Sequence, residues 1–137
     1  MPVFLLDTCA VIRIARDEPL REPAASALEE LYAEEGRLAV SPITAWEVAM
    51  LVAKGRMALS LDPEIWFDRI CAIPGVALAG MPPSVLMASC SLPGSPPADP
   101  AGRLLAATAR AFGYTLVTRD RPLLDYGAEG HIRVMGC

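Results

Sequence analysis

The sequence predicts a single α/β domain over residues 1–137, with a mostly parallel central sheet flanked by helices. Short apolar runs, typical of buried strands, alternate along the chain with longer segments of helical periodicity. Several of the helical segments begin with Ser-Pro or Asp-Pro and end at glycine, which are the usual signals for a helix start and stop. No internal repeat and no long linker divides the chain, so we expect one domain.

The first half of the chain contains two predicted strands. The run Val3-Phe4-Leu5-Leu6 has four apolar residues in succession, as in a parallel strand that is covered on both faces. Helices are predicted over residues 10–16 and 21–35, and a second strand follows over residues 38–40. The pair Ser41-Pro42 then begins a helix that we expect to end near Lys54, before Gly55.

The second half continues the alternation and ends on a strand. Helices are predicted from Asp62-Pro63, over residues 83–91, from Asp99-Pro100 to Phe112, and briefly after Asp120. Strands are predicted over residues 76–78, 115–118 and 132–134. Residues 70–98 carry no charge but contain many prolines and glycines, so we expect a covered strand, a helix and a loop there rather than a membrane span.

Charge and cysteine usage exclude several classes of protein. The net charge is −4, yet residues 17–35 alone hold seven acids and one base. The remainder has a small positive balance, which is compatible with a polyanionic substrate but argues against nonspecific coating of DNA. A single histidine and four scattered cysteines without Cys-x-x-Cys spacing argue against a zinc site and favour a reducing cytosol. The amino terminus reaches Asp7 too soon for a signal peptide.

Four carboxylates fall where the predicted topology brings strand ends together. Asp7 ends the first strand, Glu47 lies early in the helix after the second, Asp99 begins the helix before the fourth, and Asp120 follows the fourth. Right-handed crossovers place the carboxyl ends of parallel strands at one edge of the sheet. The four acids can therefore converge, although Asp7, Asp99 and Asp120 are each also well placed to cap a helix.

Glu47 lies on the apolar side of its helix. Ile43, Met50 and Leu51 are its neighbours at helical spacing, so an acid there is costly unless it is paired or binds a metal. The structural alternative is a buried salt bridge, for example with Lys54.

Together the four acids predict a hard-metal site. Clustered carboxylates cannot all ionise without a cation, and oxygen ligands without histidine or cysteine suit Mg²⁺ or Mn²⁺. Such a site activates water and positions a phosphodiester for in-line attack. Thr8 and Thr118 place hydroxyl groups beside two of the acids and are predicted to support them.

The motifs resemble those of a PIN-domain ribonuclease of the VapC toxin type. The segments that carry the resemblance are FLLDTC, SPITAWEVAMLVAKGRM, DPAGRLLAATARAFGYTLVTRD and YGAEGHIRVM, which together span nearly the whole chain. The resemblance implies a small α/β/α domain, Mg²⁺- or Mn²⁺-dependent RNA cleavage, a homodimer and a cognate VapB-like antitoxin. Asp7, Glu47 and Asp120 match the acidic positions of that family.

The third acidic motif departs from the family. Similar proteins typically read Asp-Pro-x-Asp-Arg, whereas this chain keeps Asp99 but has Gly102 at the second acid. A histidine often found upstream is also absent, with Ser95-Pro96-Pro97 in its neighbourhood. A PIN fold that has lost catalysis and acts as a protein-binding module is therefore the alternative function. Receiver domains and haloacid-dehalogenase-type phosphatases are disfavoured because Thr8 and Cys9 do not supply their second acid.

Overall fold

A computed structural model describes residues 3–137, which form five strands and seven helices. The strands are β1 (Val3–Leu6), β2 (Arg37–Val40), β3 (Val76–Leu78), β4 (Thr115–Thr118) and β5 (Arg133–Gly136). The helices are α1 (Thr8–Ala15), α2 (Ala24–Ala33), α3 (Pro42–Ala53), α4 (Pro63–Cys71), α5 (Pro83–Ala88), α6 (Pro100–Phe112) and α7 (Arg121–Ala128).

The five strands make one parallel sheet in the order β3-β2-β1-β4-β5. The predicted α/β/α class is therefore confirmed. β1 lies at the centre, where Leu5 pairs with Ala39 on one side and with Leu116 on the other. All strands point the same way, so the residues that follow β1, β2 and β4 meet at one edge of the sheet.

Each face of the sheet is covered by its own layer of helices. Along β1, Phe4 and Leu6 face one layer and Leu5 faces the other, as the alternation of a strand requires. The first layer takes buried side chains from α1, α2 and α4, and the second takes them from α6 and α7. Both faces of the central strands are thus withdrawn from water, which explains their continuous apolar sequence.

The predicted boundaries of three helices were wrong. α1 spans Thr8–Ala15 rather than residues 10–16, because Asp7 caps it, and α2 ends at Ala33 rather than residue 35. α2 begins at Ala24 rather than residue 21, because Glu22 precedes Pro23 and proline disfavours helix at the residue before it. α5 ends at Ala88 rather than residue 91. There the Ser89 hydroxyl donates to the Leu86 carbonyl over 2.6 Å, a local bond that competes with continuation of the helix.

Two predictions about strands were also wrong. The strand at residues 76–78 was expected to be covered, but Ala77 and Leu78 are exposed because β3 is an edge strand that pairs with β2 alone. The last strand begins at Arg133 and reaches Gly136 instead of spanning residues 132–134. Among residues 3–137, no helix combines the length and the apolar character that crossing a membrane requires.

Candidate active site

The carboxyl edge of the sheet holds an open cavity of about 380 Å³. All four acids predicted from the sequence line it. The complete lining is Asp7, Thr8, Cys9, Glu47, Asp99, Gly102, Leu105, Arg119, Asp120, Arg121 and Leu123. Residues that are more than a hundred positions apart in the chain therefore share one solvent-accessible space.

Asp7 lies at the base of this cavity and is buried, with 5% of its surface exposed. It caps α1, because the backbone N–H of Ala10 donates to Asp7 Oδ1 over 2.8 Å. Its other oxygen, Oδ2, accepts from the Thr118 hydroxyl over 2.5 Å. Burial raises the pKa of Asp7 above its usual value, the two hydrogen bonds act in the opposite direction, and nearby Asp120 raises it further.

Glu47 reaches the cavity from α3 and is half-buried. The Thr8 hydroxyl donates to Glu47 Oε1 over 2.6 Å, and the buried Thr44 hydroxyl lies 3.0 Å from that of Thr8. Since the single proton of Thr8 is committed to Glu47, Thr44 must be the donor in its contact with Thr8. Burial raises the pKa of Glu47, and the charges of Asp99 and Asp7 add to that effect, while the bond from Thr8 opposes it.

The salt bridge suggested for Glu47 is not formed. Lys54 is exposed at the end of α3, and within residues 3–137 Glu47 has no ion-pair partner. The hydrogen-bond partner that Glu47 does have is the hydroxyl group of Thr8, which itself contacts the hydroxyl of Thr44. Thr44 was not identified from the sequence, because a threonine inside a predicted helix carries no signal of a contact with a residue in another element.

Asp99 and Asp120 cap the two helices that border the cavity on its other side. The N–H of Gly102 donates to Asp99 Oδ2 over 3.1 Å, and the N–H of Leu123 donates to Asp120 Oδ2 over 3.3 Å. The helix-cap interpretation is therefore confirmed at both positions, as it is at Asp7. At Asp99 and Asp120 the cap uses one carboxylate oxygen and leaves the second oxygen for another ligand.

Thr118 connects two of the acids. Besides donating to Asp7, its Oγ1 accepts from the backbone N–H of Asp120 over 3.0 Å. The side chain is fully buried at the end of β4. Thr8 and Thr118 therefore both contact carboxylates of the cavity, Thr8 through Glu47 and Thr118 through Asp7.

None of the four acids is neutralised by an ion pair in the part of the chain that the structure describes. The charges act on one another, since Asp120 affects Asp7 and both Asp7 and Asp99 affect Glu47. A cluster of this kind carries a net negative charge, which attracts a cation. The set of oxygen donors, with no histidine or neutral nitrogen among the acids, fits a hard divalent ion.

The four carboxylates do not converge on a single point. Within residues 3–137, no three side chains of histidine, cysteine, aspartate or glutamate are close enough to hold one ion together. The carboxylate oxygens are therefore of the type that binds Mg²⁺ or Mn²⁺. The four acids surround the cavity, but they are not arranged as a complete set of ligands to one ion.

Gly102 faces the same cavity from the first turn of α6 and is buried. A Cβ atom at this position would lie 3.5 Å from Pro97 Cγ and 3.6 Å from Asp99 Oδ2, which are ordinary contact distances. The backbone therefore has room for a side chain here, and the absence of an acid is not imposed by crowding at Cβ.

Arg119 and Arg121 also line the cavity, and sequence reasoning did not identify them as site residues. They flank Asp120, with Arg119 directly after β4 and Arg121 as the first residue of α7. The only signal in the sequence is the order Arg119-Asp120-Arg121 directly after a predicted strand, and this order is not a recognised motif.

Comparison with known proteins identifies the family of the chain. The sequence matches the PIN domain family over residues 4–129. It is 38% identical over 127 residues to Ribonuclease VapC22 of Mycobacterium tuberculosis, and the aligned region covers 92% of this chain and 93% of that protein.

Solved structures share the fold at lower sequence identity. VapBC2 from Rickettsia felis, bound to a promoter DNA fragment, has a chain that matches with a TM-score of 0.66, 16% identity and 98% coverage of both chains. DNA-bound VapBC from Salmonella typhimurium matches with a TM-score of 0.59, 21% identity and coverage of 99% of this chain and 98% of that one. At these identities the likeness shows the fold alone. The family match and the 38% identical relative show more: this chain belongs to the PIN-domain family, and within it to the VapC type.

Proposed function

We propose that this protein is a Mg²⁺- or Mn²⁺-dependent endoribonuclease, the toxin component of a toxin–antitoxin pair. The observation that carries the proposal is the cavity at the carboxyl edge, where four carboxylates form no ion pair within the described residues. The similarity to a protein named as a VapC ribonuclease supports RNA as the substrate. A divalent ion bound by the carboxylates would offset part of their negative charge, so that an acidic cavity can accept an anionic RNA strand.

The residues of the chain have distinct parts in this chemistry. Asp7 and Glu47, oriented by Thr118 and Thr8, would hold the metal from the β1 and α3 side. Asp99 and Asp120 would bind it from the helix starts opposite, directly or through water. A bound divalent ion supplies a water of lowered pKa and neutralises charge on the phosphodiester oxygens. The threonine hydroxyls fix the direction of each carboxylate before substrate arrives.

The experiment that tests the proposal compares RNA cleavage by the wild type and by Asp7→Asn in Mg²⁺. Asparagine keeps the shape and removes the charge, so we expect cleavage to be abolished while the fold is retained, as judged by circular dichroism. Asp68→Asn is the matched control, because Asp68 is an exposed acid on α4 that lies outside the cavity. Cleavage by Asp7→Asn at the wild-type rate would refute the assignment.

A second function is favoured by one observation, the glycine at position 102. If the site lacks a ligand that activity requires, the chain is a PIN-fold protein-binding module without catalysis. Metal titration combined with the cleavage assay separates the two functions, because the module would neither bind Mn²⁺ at these acids nor cut RNA.

The proposed partner is a VapB-like antitoxin. Structures similar in fold include VapBC complexes and the FitAcB complex of Neisseria gonorrhoeae, the latter with a TM-score of 0.56, 22% identity and 96% coverage of both chains. We place the protein in the cytoplasm, where its four cysteines, all free in the structure, would stay reduced.

We also propose a homodimer. The chain is rich in apolar residues for its size, and the candidates for the interface are the large ones that follow β2: Trp46, Met50, Met57, Trp66 and Phe67. Of these, Trp66 and Phe67 pack against the core, whereas Trp46 is 55% exposed. Leu86 and Met87 on α5 add exposed apolar surface. Burial of such side chains between two copies would remove them from water. The remaining candidates, Met50 and Met57, are half-buried. A monomeric mass by light scattering at micromolar concentration would count against the dimer.

A further inference from the structure

Two arginines line a cavity whose other charged residues are all acids. Arg119 and Arg121 flank Asp120, and both line the space that Asp7, Glu47 and Asp99 also line. Arg119 is exposed, and in the part of the chain that the structure describes it forms no ion pair and its side chain donates no hydrogen bond. Its charge acts on Asp7, whose pKa it lowers, although this is the smallest of the effects on that group.

Arg121 is only weakly engaged. Its Nε lies 3.2 Å from Asp125 Oδ1 one helical turn later, and the two side chains are 80% and 66% exposed. Ion pairs with this exposure contribute little to stability and exchange readily with other partners. The guanidinium of Arg121 is therefore free to bind an anion that enters the cavity.

The positions of Arg119 and Arg121 at the start of α7 are not explained by a contribution to the stability of that helix. Asp120 is the N-cap of α7, so Arg119 precedes the cap and Arg121 is the first residue of the helix. The amino-terminal end of a helix carries a partial positive charge, which disfavours cations there. A ligand with negative charge, however, would meet the helix end and both guanidinium groups together.

We propose that Arg119 and Arg121 bind the phosphates of the RNA strand next to the bond that is cut. This inference rests on the proposed ribonuclease function and assigns positioning residues to it. Four carboxylates repel a polyanion, and a bound divalent ion offsets only part of their charge. The two arginines supply further positive charge against the carboxylates. A planar guanidinium can also bind phosphate oxygens through two hydrogen bonds.

The test is the affinity for a fluorescein-labelled single-stranded RNA oligonucleotide, measured by anisotropy in Ca²⁺ at several salt concentrations. We expect Arg119→Gln and Arg121→Gln each to weaken binding by about tenfold. The slope of log affinity against log salt is negative, and each variant should make it less steep by about 0.7, the value for one phosphate contact on a single strand. Arg119→Lys should keep the wild-type slope, because lysine keeps the charge. A merely structural role of Arg119 would not produce that rescue.

Arg56→Gln is the control. Arg56 is an exposed arginine beyond the end of α3, outside the cavity, and its replacement should change neither quantity. Wild-type affinity and slope in both glutamine variants would overturn the inference, as would the absence of RNA binding by the wild type.

The ribonuclease proposal and the arginine proposal can fail independently of each other. If the wild type cuts RNA but the glutamine variants bind normally, only the arginine assignment is lost. If RNA binding depends on the arginines but no cleavage occurs in Mg²⁺, only the nuclease assignment is lost.

Discussion

The hydroxyl of Thr118 donates to Asp7 Oδ2 over 2.5 Å and joins two residues that are 111 positions apart in the sequence. Both side chains are buried where the neighbouring strands β1 and β4 end. The bond stabilises the charged form of a carboxylate whose pKa burial raises. The same oxygen of Thr118 accepts from the Asp120 N–H, so one threonine orients an acid from each strand end.

Replacement of this hydroxyl by a methyl group should destabilise the protein. In Thr118→Val the buried Asp7 oxygen loses its donor, and the N–H of Asp120 loses its acceptor. We expect the free energy of unfolding at neutral pH to fall by about 1–3 kcal/mol, the cost of leaving a buried polar group without a partner. Urea unfolding measures the change. Thr118→Ser keeps the hydroxyl and should lose less; equal losses in the two variants would show that the methyl group, not the hydrogen bond, matters.

The metal-free protein should become less stable as the pH rises through the titration of its buried acids. Burial raises the pKa values of Asp7 and Glu47 above their ordinary values of 3.8 and 4.5, so the folded state holds these protons more tightly than the unfolded state does. Their favourable contribution is therefore present below the ordinary values and is lost as the pH rises through the raised ones.

Glu47→Gln isolates this effect at one position. Glutamine cannot ionise, and its side-chain oxygen can still accept from Thr8. Relative to the wild type, the variant should gain stability as the pH rises from about 4.5 through the raised pKa of Glu47 and then keep a constant advantage. Urea unfolding at a series of pH values, with a chelator present, measures the difference. An advantage that shrinks with rising pH would mean that the sign of the pKa shift is wrong.

Position 102 should accept an acid that strengthens metal binding. Gly102→Ala adds only the Cβ, for which there is room, and should stabilise α6 by about 0.5–1 kcal/mol. Gly102→Asp adds a carboxylate near the helix amino terminus and beside Asp99. We expect it to bind Mn²⁺ more tightly than the wild type and the alanine variant, and to cut RNA faster, because ligand charge sets much of the affinity for a hard cation.

Calorimetry and cleavage rates for Gly102→Asp and Asp99→Ala complete that test. If the aspartate variant changes neither quantity while Asp99→Ala abolishes both, Asp99 is the third ligand and position 102 lies outside the site. If neither variant nor the wild type binds metal, the result favours the protein-binding module over the metal-dependent ribonuclease.

The antitoxin should inhibit through a basic residue. The unpaired carboxylates of the cavity can be neutralised by an arginine or lysine of the partner as well as by Mg²⁺. The rest of the inhibitory segment is expected to be apolar and to cover the groove beside the cavity. We expect replacement of the partner's basic residues in this segment by glutamine to relieve inhibition of cleavage. Inhibition that is unaffected by these replacements would exclude the mechanism.

The sequence predicted the elements well because their signals are local. Each strand contains a short apolar run. Ser41, Asp62, Asp99 and Asp120 act as the helix caps that their Pro-containing contexts indicate. The position of Asp7 at the end of the central strand also follows from local sequence and the parallel topology.

Contacts between distant residues could not be predicted in the same way. The bonds from Thr118 to Asp7 and from Thr44 through Thr8 to Glu47 depend on how separate elements pack. The exposure of β3 depends on strand order, because a short apolar run does not reveal whether its strand lies at an edge. The sequence indicated that the acids share an edge, but not how far apart their oxygens lie.

Titration of Mn²⁺ into the metal-free protein, followed by calorimetry, tests most directly whether the four acids form a metal site. We expect saturable binding by the wild type and by the Asp68→Asn control. Asp7→Asn should weaken the affinity by about tenfold or more, since loss of a single group that supports a metal often has that effect. Equal affinities of Asp7→Asn and the wild type, or no binding by any of the three proteins, would contradict the metal site.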